Sequence, residues 1–257
     1  MVESKQNSFT KRPNVNGWKV VSTLGSGGNA VVKLVEGADG KQYAMKIQQP
    51  HASERASFVA ATRAEVALVQ ELGIDDVPRY YEFNENAVWQ KKNGDDVPCC
   101  YILMELVQGI ELIDFFNNSR TVSRDDRLCR YIFNKVAIAL HKLHSAGVAH
   151  RDIKPENVIL TEDFKIKLID LGYGIPLSGR DGSFLLKTRK GTPTYLAPEL
   201  VAHKPYQGVD IDIFSFGVMA LTLRTMRYPF EEACTARDDK YKNLMAYDSS
   251  QFWRSYA

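Results

Sequence analysis

One segment constrains this chain more than any other feature of its sequence. His150 to Asn157 runs His-Arg-Asp-Ile-Lys-Pro-Glu-Asn, and the triplet Asp170-Leu171-Gly172 follows after a short interval. Together they supply two carboxylates, a lysine and an amide. Carboxylate and amide oxygens are ligands that Mg²⁺ accepts, and a lysine close to them neutralises the charge of a phosphoryl group. The pattern therefore predicts a fold that brings these side chains together to handle phosphate.

The first part of the chain is rich in predicted β-strands. Apolar and β-branched residues between turn signals predict strands at 18–24, 31–35, 42–47, 80–83 and 100–105. The first three strands are expected to be antiparallel. The polar stretch 91–96, between the last two strands, is predicted to be a solvent-exposed hairpin loop.

Helices dominate the second part. Apolar residues at helical spacing predict a helix from Ser53 to Gly73, a longer one over 124–144 and another over 212–224. Strands first and helices afterwards favour an α+β fold of two lobes, joined by the segment 104–109. We assign the chain to a flexible N-terminal extension at 1–16, an N-lobe at 17–104 and a C-lobe at 105–257.

The composition argues against other classes of protein. Charged residues make up 25% of the 257 residues and the net charge is +2, which gives no reason to expect a nucleic-acid surface. The four cysteines lack zinc-type spacing, so neither a disulfide framework nor a metal–thiolate site is expected. No apolar run reaches the roughly 20 residues of a membrane span. We expect a cytoplasmic protein without a membrane partner, with the nucleus as the alternative location.

Further motifs lie on both sides of the 150–157 segment. They are the glycine-rich stretch from Gly25 to Val32, the triplet Ala44-Met45-Lys46 and the stretch from Gly191 to Glu199. In this order the motifs resemble those of the eukaryotic protein kinases, and Lys154 is the signature of the serine/threonine class. The resemblance implies a two-lobed kinase fold, with an antiparallel sheet and one helix in the N-lobe and a mainly helical C-lobe. The first and last of these motifs also suggest a relation to the calcium/calmodulin-dependent kinases.

The resemblance implies ATP and Mg²⁺ as cofactors and proteins as substrates. The residues that it assigns to binding are Leu24, Gly25, Ser26, Gly27, Gly28, Val32, Ala44, Lys46, Glu65, Met104, Glu105, Val107, Glu111, Glu156, Ile159 and Asp170. Ala30 departs from the pattern, because it replaces the third glycine of the loop. Lys46 would hold the α- and β-phosphates and Glu65 would hold Lys46. The alternative for Glu65 is a surface ion pair, and Glu54 and Glu71 compete for its role.

The adenine contacts implied by the resemblance are of two kinds. The backbone at Glu105 and Val107 would bind the edge of the base. Apolar side chains would enclose its faces and the inner pocket, namely those of Val32, Ala44, Met104 and Ile159. Each of these apolar residues taken singly is equally typical of a protein core.

The same resemblance assigns the chemistry. Asp152 would orient the substrate hydroxyl, Lys154 would neutralise the moving phosphoryl group, and Asn157 and Asp170 would hold the Mg²⁺ ions. Thr192 is expected to form hydrogen bonds near Asp152 and Lys154. Leu171 stands where the family has phenylalanine, a hydrophobic exchange at a position without metal contact. Asp212 is expected to tie down the backbone of the catalytic loop.

Two expectations concern regulation and substrates. Arg151 precedes Asp152, a pair that in the family accompanies phosphorylation of the activation segment, here at Thr188, by an upstream kinase or by the protein itself. Ser183, Thr192 and Thr194 are alternative sites. Glu111 and Glu156 match positions that bind arginine upstream of the target hydroxyl, so a basic protein substrate is expected.

The resemblance also raises a question about the end of the chain. The C-lobe of the family continues with further helices, so the sequence is expected to be shortened there and to lack a partner for Glu199. The alternative function is therefore a catalytically weak or inactive, pseudokinase-like scaffold that binds nucleotide. The complete set of lysine, glutamate, aspartates and asparagine favours an enzyme instead.

Overall fold

The computed structural model describes residues 13–27, 30–118, 121–179 and 182–256, and the chain divides into two compact units. The first unit comprises Met1–Gln70 with Arg79–Leu106, and the second comprises Glu71–Pro78 with Val107–Ala257. The chain thus enters the second unit slightly beyond the predicted boundary at residue 104. The inclusion of Glu71–Pro78 in the second unit has no counterpart in the sequence pattern.

The described strands of the first unit form one closed antiparallel sheet. The strands are β1 Asn14–Val15, β2 Trp18–Ser26, β3 Ala30–Glu36, β4 Gln42–Gln48, β5 Tyr80–Gln90 and β6 Asp96–Met104, and the helix α1 Arg55–Leu72 lies between β4 and β5 in the sequence. The strand order is β1-β2-β3-β4-β6-β5, and β1 pairs again with β5. The predicted antiparallel strands and the hairpin loop are confirmed. β5 and β6 extend beyond the prediction because both arms of the hairpin continue to pair towards its tip.

The core of this unit explains one difference from the sequence analysis. Asn14–Val15 lie within the predicted loose extension of residues 1–16, yet they form β1 between β2 and β5. Val15 is fully buried and packs in a cluster with Val35, Met45 and Tyr101. Burial of an apolar side chain of this size stabilises the folded state by about 1.5–3 kcal/mol. Val15 therefore belongs to the core.

The second unit contains the remaining elements. They are β7 Gly109–Glu111, α2 Leu112–Asn117, α3 Asp126–Ser145, β8 Val148–Ala149, β9 Val158–Thr161, β10 Ile166–Leu168, β11 Ile175–Pro176, α4 Pro198–Val201, α5 Gly208–Thr225, α6 Asp239–Leu244 and α7 Ser250–Arg254. β9 pairs with β7 and β10, and β8 pairs with β11. The segment between β8 and β9 carries Asp152, Lys154 and Asn157, and Thr192 lies between β11 and α4. The α+β fold and the kinase-like arrangement of elements are confirmed.

The two long helices of this unit differ in what the residues at their starts do. Asp125 caps α3, since its carboxylate accepts hydrogen bonds from the backbone amides of Arg127 and Leu128. The helix α5 begins at Gly208, before the predicted start at Asp212. A Cβ atom at Gly208 would lie 2.5 Å from the Cβ of Ala149, so glycine is required by close packing that propensity does not reveal. Across the described parts of the chain, no helix is both long and apolar enough to cross a membrane.

Candidate active site

Asp152 lies at the centre of a hydrogen-bonded cluster in the second unit. Its Oδ1 accepts hydrogen bonds from the backbone N–H and the hydroxyl of Thr192, at 2.8 and 2.7 Å. Its Oδ2 lies 3.0 Å from both Lys154 Nζ and Asn157 Nδ2. The residue is 7% exposed, so its charge is balanced by these donors more than by water. The carboxylate is thereby held in one orientation.

Lys154 and Thr192 complete the cluster. Lys154 Nζ donates a hydrogen bond of 2.9 Å to Thr192 Oγ1 in addition to its ion pair with Asp152. Gly191, before Thr192, has φ +117°, and a Cβ atom there would lie 2.8 Å from the carbonyl oxygen of Arg151. Glycine thus allows the segment around Thr192 to approach the catalytic loop closely. The structure brings together Asp152, Lys154, Asn157 and Thr192, as the sequence analysis expects.

Asp212, in the first part of α5, binds the backbone of the loop that carries Asp152. It is fully buried and accepts hydrogen bonds from the backbone amides of His150 (2.8 Å) and Arg151 (2.7 Å). Its Oδ2 also lies 2.9 Å from His144 Nε2. Arg151 has φ +65°, a conformation that costs energy for a residue other than glycine. The contacts to Asp212 hold the loop in this strained shape.

His150 joins the catalytic loop to the residue before Asp170. Its ring is fully buried, its Nδ1 accepts from the N–H of Asp152 (3.3 Å), and its Nε2 lies 3.0 Å from the carbonyl oxygen of Ile169. These partners require the neutral ring with its proton on Nε2. The N–H of Ile169 in turn donates to the carbonyl of Asn157 at 2.9 Å. Both polar groups of Ile169 are therefore held, which fixes the start of the Asp170 turn beside the catalytic loop.

Asn157 and Asp170, the predicted Mg²⁺ ligands, both carry oxygen donors of the kind that this ion accepts. Asn157 uses its Nδ2 to donate to the carbonyl and carboxylate of Asp152, which leaves its amide oxygen as the group for a metal. Asp170 is exposed and has φ +59°. Within the described ranges no group of three or more His, Cys, Asp or Glu residues is arranged to hold a metal. Mg²⁺ at this place would depend on phosphate oxygens as further ligands.

The first unit holds the predicted lysine–glutamate pair. Lys46 Nζ on β4 lies 3.8 Å from Glu65 Oε1 on α1, and the two side chains are 13% and 8% exposed. The hydroxyl of Tyr80 donates to the same glutamate oxygen at 3.1 Å. The pair is nearly buried, so the alternative of a surface ion pair for Glu65 is wrong. Tyr80 is a positioning residue that the sequence analysis missed.

The glycine-rich loop is described on both of its arms. Gly25 and Ser26 at the end of β2 pair with Val32 and Val31 of β3, and the N–H of Gly27 donates to the carbonyl of Ala30 at 2.9 Å. Leu24 is 47% exposed. Gly28, a predicted binding residue, lies outside the described residues. The described arms pair with each other, and Gly25 and Gly27 carry no side chain that would keep an anionic ligand from the backbone.

The predicted adenine-side residues of the first unit lie on neighbouring strands. Ala44 is buried and lies opposite Met104 in the pairing of β4 with β6. Val32 lies opposite Lys46 in the pairing of β3 with β4. The N–H of Glu105 donates to the carbonyl of Arg79 at 2.8 Å, which holds the strand end. The predicted adenine-side residues of this unit therefore lie on one connected part of the sheet or directly at its end. They are Val32, Ala44, Met104 and Glu105.

The second unit contributes the remaining predicted binding residues. Val107 lies where the chain enters this unit and is partly buried. Ile159 on β9 lies opposite Glu111 on β7. Both Ile159 and Glu111 are partly buried, so the strand pairing brings an apolar and an acidic predicted residue together.

Glu111 and Glu156 form an acidic group in this unit. Burial raises the pKa of Glu111 above its ordinary value, and the negative charges of Asp114 and Glu156 add to the rise. Glu156 Oε2 is buried and has no hydrogen-bond partner within the described ranges. A buried carboxylate oxygen without a partner is costly unless a ligand supplies one. The group is suited to a cationic ligand.

Arg151 forms a direct hydrogen bond with Thr188, the residue predicted to be phosphorylated. Its Nη1 donates to the hydroxyl of Thr188 at 2.8 Å and to the hydroxyl of Tyr206 at 3.1 Å, and its Nε donates to the carbonyl of Tyr173 at 2.6 Å. The Tyr206 hydroxyl donates to the carbonyl of Thr188 at 2.7 Å. Leu186 and Tyr206 also exchange backbone hydrogen bonds. The structure thus places the hydroxyl of Thr188 at the guanidinium of Arg151.

Tyr80, His144 and Tyr206 are supporting residues that the sequence analysis did not find. Each acts on a residue distant in sequence, respectively Glu65, Asp212 and Thr188. No local spacing signals such contacts. Only the pairing of β5 with the sheet, the packing of α3 near α5 and the bridge between Leu186 and Tyr206 create them.

The sequence is similar to those of known protein kinases. The protein kinase domain model matches residues 18–254. The chain is 35% identical over 243 residues to the serine/threonine-protein kinase cds1 of Schizosaccharomyces pombe, covering 90% of this chain and 49% of that protein. It is 33% identical over 216 residues to the maternal embryonic leucine zipper kinase of Danio rerio, covering 84% of this chain and 30% of that protein.

A plant protein extends the comparison. The SNF1-related protein kinase catalytic subunit alpha KIN12 of Arabidopsis thaliana is 32% identical over 216 residues, covering 84% of this chain and 40% of that protein. The chain therefore spans about half the length, or less, of these curated relatives.

Proposed function

The chain belongs to the protein kinase domain family, and from that membership we propose that it transfers the γ-phosphoryl group of ATP to serine and threonine hydroxyls of proteins. The observation that carries the proposal is the cluster in which Asp152 contacts Lys154, Asn157 and Thr192. Phosphoryl transfer needs positioned groups and charge neutralisation rather than covalent catalysis by the protein. This cluster supplies both.

Each of the assigned residues of the two units has a role in the proposed reaction. Asp152 orients the attacking hydroxyl and receives its proton, while Thr192 fixes the position of the carboxylate. Lys154 balances negative charge that develops during transfer, and Lys46, held by Glu65, binds phosphate oxygens. Mg²⁺, when bound with ATP, supplies further charge neutralisation. Asn157 and Asp170 are the residues that would hold it.

The identity of the acceptor tests this proposal. The chain is incubated with labelled ATP, Mg²⁺ and peptides that differ only in carrying serine, threonine or tyrosine. Label is expected on serine and threonine, because Lys154 beside Thr192 matches the serine/threonine signature. Label on tyrosine alone would contradict the proposed specificity. Binding of ATP without transfer to any peptide would support the alternative of a nucleotide-binding scaffold.

We further propose that the substrate is basic upstream of its acceptor hydroxyl. The buried Oε2 of Glu156, which has no partner among the described residues, and the neighbouring charges of Glu111 and Asp114 support this proposal. An arginine of the substrate would compensate their negative charge through charge-assisted hydrogen bonds. Replacing Glu111 by Gln is expected to raise KM for an arginine-containing peptide by about tenfold, a ratio that corresponds to 1.4 kcal/mol. A peptide array without upstream basic selection would contradict the proposal.

The carboxylate of Glu111 predicts that the preference for arginine-containing peptides depends on pH. Glu111 has a raised pKa in the folded protein, so it becomes neutral at a higher pH than an ordinary glutamate as the pH falls. The attraction for arginine is therefore expected to weaken on acidification, and the ratio of KM values for alanine and arginine peptides should fall. Kinetics with Glu111→Gln provide the control, because this variant should show a weaker pH dependence of the ratio. An unchanged ratio in the unmodified protein would exclude the role of Glu111.

We also propose phosphorylation of Thr188 as the activating modification, made by an upstream kinase or by the chain itself. The hydrogen bond between Arg151 Nη1 and Thr188 Oγ1 supports it, because a phosphate on this oxygen would meet the guanidinium directly. Ile175 and Pro176 stand where further basic residues would complete a phosphate pocket, so the pairing is expected to depend on Arg151.

Peptide mapping of active protein tests the role of Thr188. Phosphate is expected on Thr188, and Thr188→Ala should lower transfer while Ser183→Ala should not. Tyr206→Phe distinguishes loss of the phosphate from loss of the local hydrogen bond. It removes the hydroxyl that donates to the Thr188 carbonyl but keeps the Thr188 hydroxyl that would accept the phosphate. Fully active protein with unmodified Thr188 would rule out the proposed activation.

A further inference from the structure

A groove on the sheet of the first unit lies apart from the residues assigned above. Its volume is about 640 Å³, and its walls come from β2, β3 and the hairpin between β5 and β6. Its lining includes Val20, Thr23, Lys33, Trp89, Lys91 and Lys92. A cavity of this size lies within the range of pockets that bind small ligands or side chains of a peptide.

The groove carries a concentrated positive charge. Lys33, Lys91 and Lys92 line it, and the lining contains no acidic residue in the described part of the chain. None of the three lysines forms a salt bridge within the described ranges. Lys33 Nζ donates to Thr23 Oγ1 at 2.6 Å, a neutral partner that leaves its charge unbalanced. An anion in the groove would supply the missing counter-charge.

The environment of Lys33 agrees with this conclusion. Burial lowers the pKa of its ammonium group below the ordinary value, and the charge of Lys92 lowers it further. Both effects disfavour a cation and would be offset by a bound anion. The chain as a whole has a net charge of only +2, so the unbalanced charge here is a local property of the groove.

Trp89 gives the groove a second kind of contact. The ammonium groups of Lys33 and Lys91 lie 5.4 and 5.0 Å from the centre of its ring, at cation–π distance. Its Nε1 is buried and has no hydrogen-bond partner among the described residues. An indole N–H in this state lacks the partner that buried tryptophans usually have. The residue thus combines an apolar face with a donor that is not used.

We propose that this groove binds a phosphorylated segment of another protein. The three lysines match a phosphate group in charge, and the hydroxyl of Thr23 can join them as a donor. The face of Trp89 and the side chain of Val20 match the residues that flank a phosphorylated side chain in a peptide. A free phosphate ion would use the lysines alone and would make no contact with the exposed parts of Trp89 and Val20. The proposal rests on the first unit and is independent of the proposed phosphoryl transfer.

Calorimetric titration with a phosphoserine peptide and its unphosphorylated counterpart tests the proposal. The phosphopeptide is expected to bind at least about tenfold more tightly, and its affinity should fall as salt screens the lysines. The double variant Lys33→Met, Lys92→Met should lose about tenfold or more in affinity while keeping the apolar stems of both side chains. Trp89→Phe should weaken binding less, because it keeps an aromatic ring.

Matched controls decide between this and other ligands. The double variant Lys41→Met, Lys165→Met removes two exposed lysines elsewhere and should bind as the unmodified protein does. Thermal unfolding of every variant shows that each one is folded. Equal affinity for both peptides, or undiminished binding by the Lys33/Lys92 variant, would overturn the proposal. So would inorganic phosphate that binds as tightly as the phosphopeptide, or binding to phosphatidylserine vesicles without any binding of the phosphopeptide.

Discussion

Replacement of Asp152 by Asn is expected to lower the rate of phosphoryl transfer by about 10²–10⁴-fold, the range of general acid–base catalysis. The amide has nearly the shape of the carboxylate but carries no charge and offers one acceptor oxygen in place of two. It cannot accept from Thr192 on one side and from Lys154 and Asn157 on the other. The orientation of the cluster and its ability to take a proton are both lost. Steady-state kinetics with a serine peptide measure the effect on kcat.

Two controls distinguish a catalytic defect of the Asp152→Asn protein from misfolding. Asp163→Asn changes an exposed aspartate in the turn between β9 and β10 and should leave kcat unchanged. ATP binding by the Asp152→Asn protein should persist, because the proposed phosphate contacts of Lys46 belong to the first unit. Transfer at the unmodified rate in Asp152→Asn would refute the assigned role of this carboxylate.

Replacement of Asp212 by Ala is expected to destabilise the fold by about 3 kcal/mol and to abolish transfer. The change removes the acceptor of the buried amides of His150 and Arg151 and the partner of His144. Two backbone donors would then be left unsatisfied away from water. The strained conformation of Arg151 also loses its support, so the loop that carries Asp152 should relax. Urea unfolding measures the stability term, since its midpoint shifts with the free energy of unfolding.

Asp210 provides a matched control for this prediction. It lies in the first turn of the same helix α5 but is exposed, so Asp210→Ala should have a small effect on stability and leave transfer intact. Equal unfolding midpoints for Asp212→Ala and the unmodified protein would show that the buried hydrogen bonds do not support the loop as described.

The sequence predicts the catalytic cluster well because its members are close along the chain. Asp152, Lys154 and Asn157 lie within one loop, so the motif alone indicates that their side chains meet. Thr192 is distant, and only the resemblance to a family motif placed it beside them. The strands and long helices are predictable for a related reason, since alternation and helical spacing are local properties of the sequence.

What the sequence does not predict depends on contacts between distant residues. Val15 lies in a polar segment, and its burial follows from pairing with Trp89 on β5. Tyr206 reaches Thr188 because its own backbone bridges to Leu186. The basic groove likewise combines Lys33 with a hairpin that follows much later in the chain. Such arrangements are created by tertiary packing, and neither periodicity nor a short motif contains them.

Mg²⁺-dependent transfer from labelled ATP shows whether this chain carries a working phosphoryl-transfer site. The unmodified chain is compared with Asp170→Asn, which keeps the shape of the residue but removes the charge proposed to hold the metal. If the proposed phosphoryl transfer is right, label is expected on a serine or threonine substrate with the unmodified chain and should be lost with Asp170→Asn. Equal label with both proteins, or none with the unmodified chain, would contradict it.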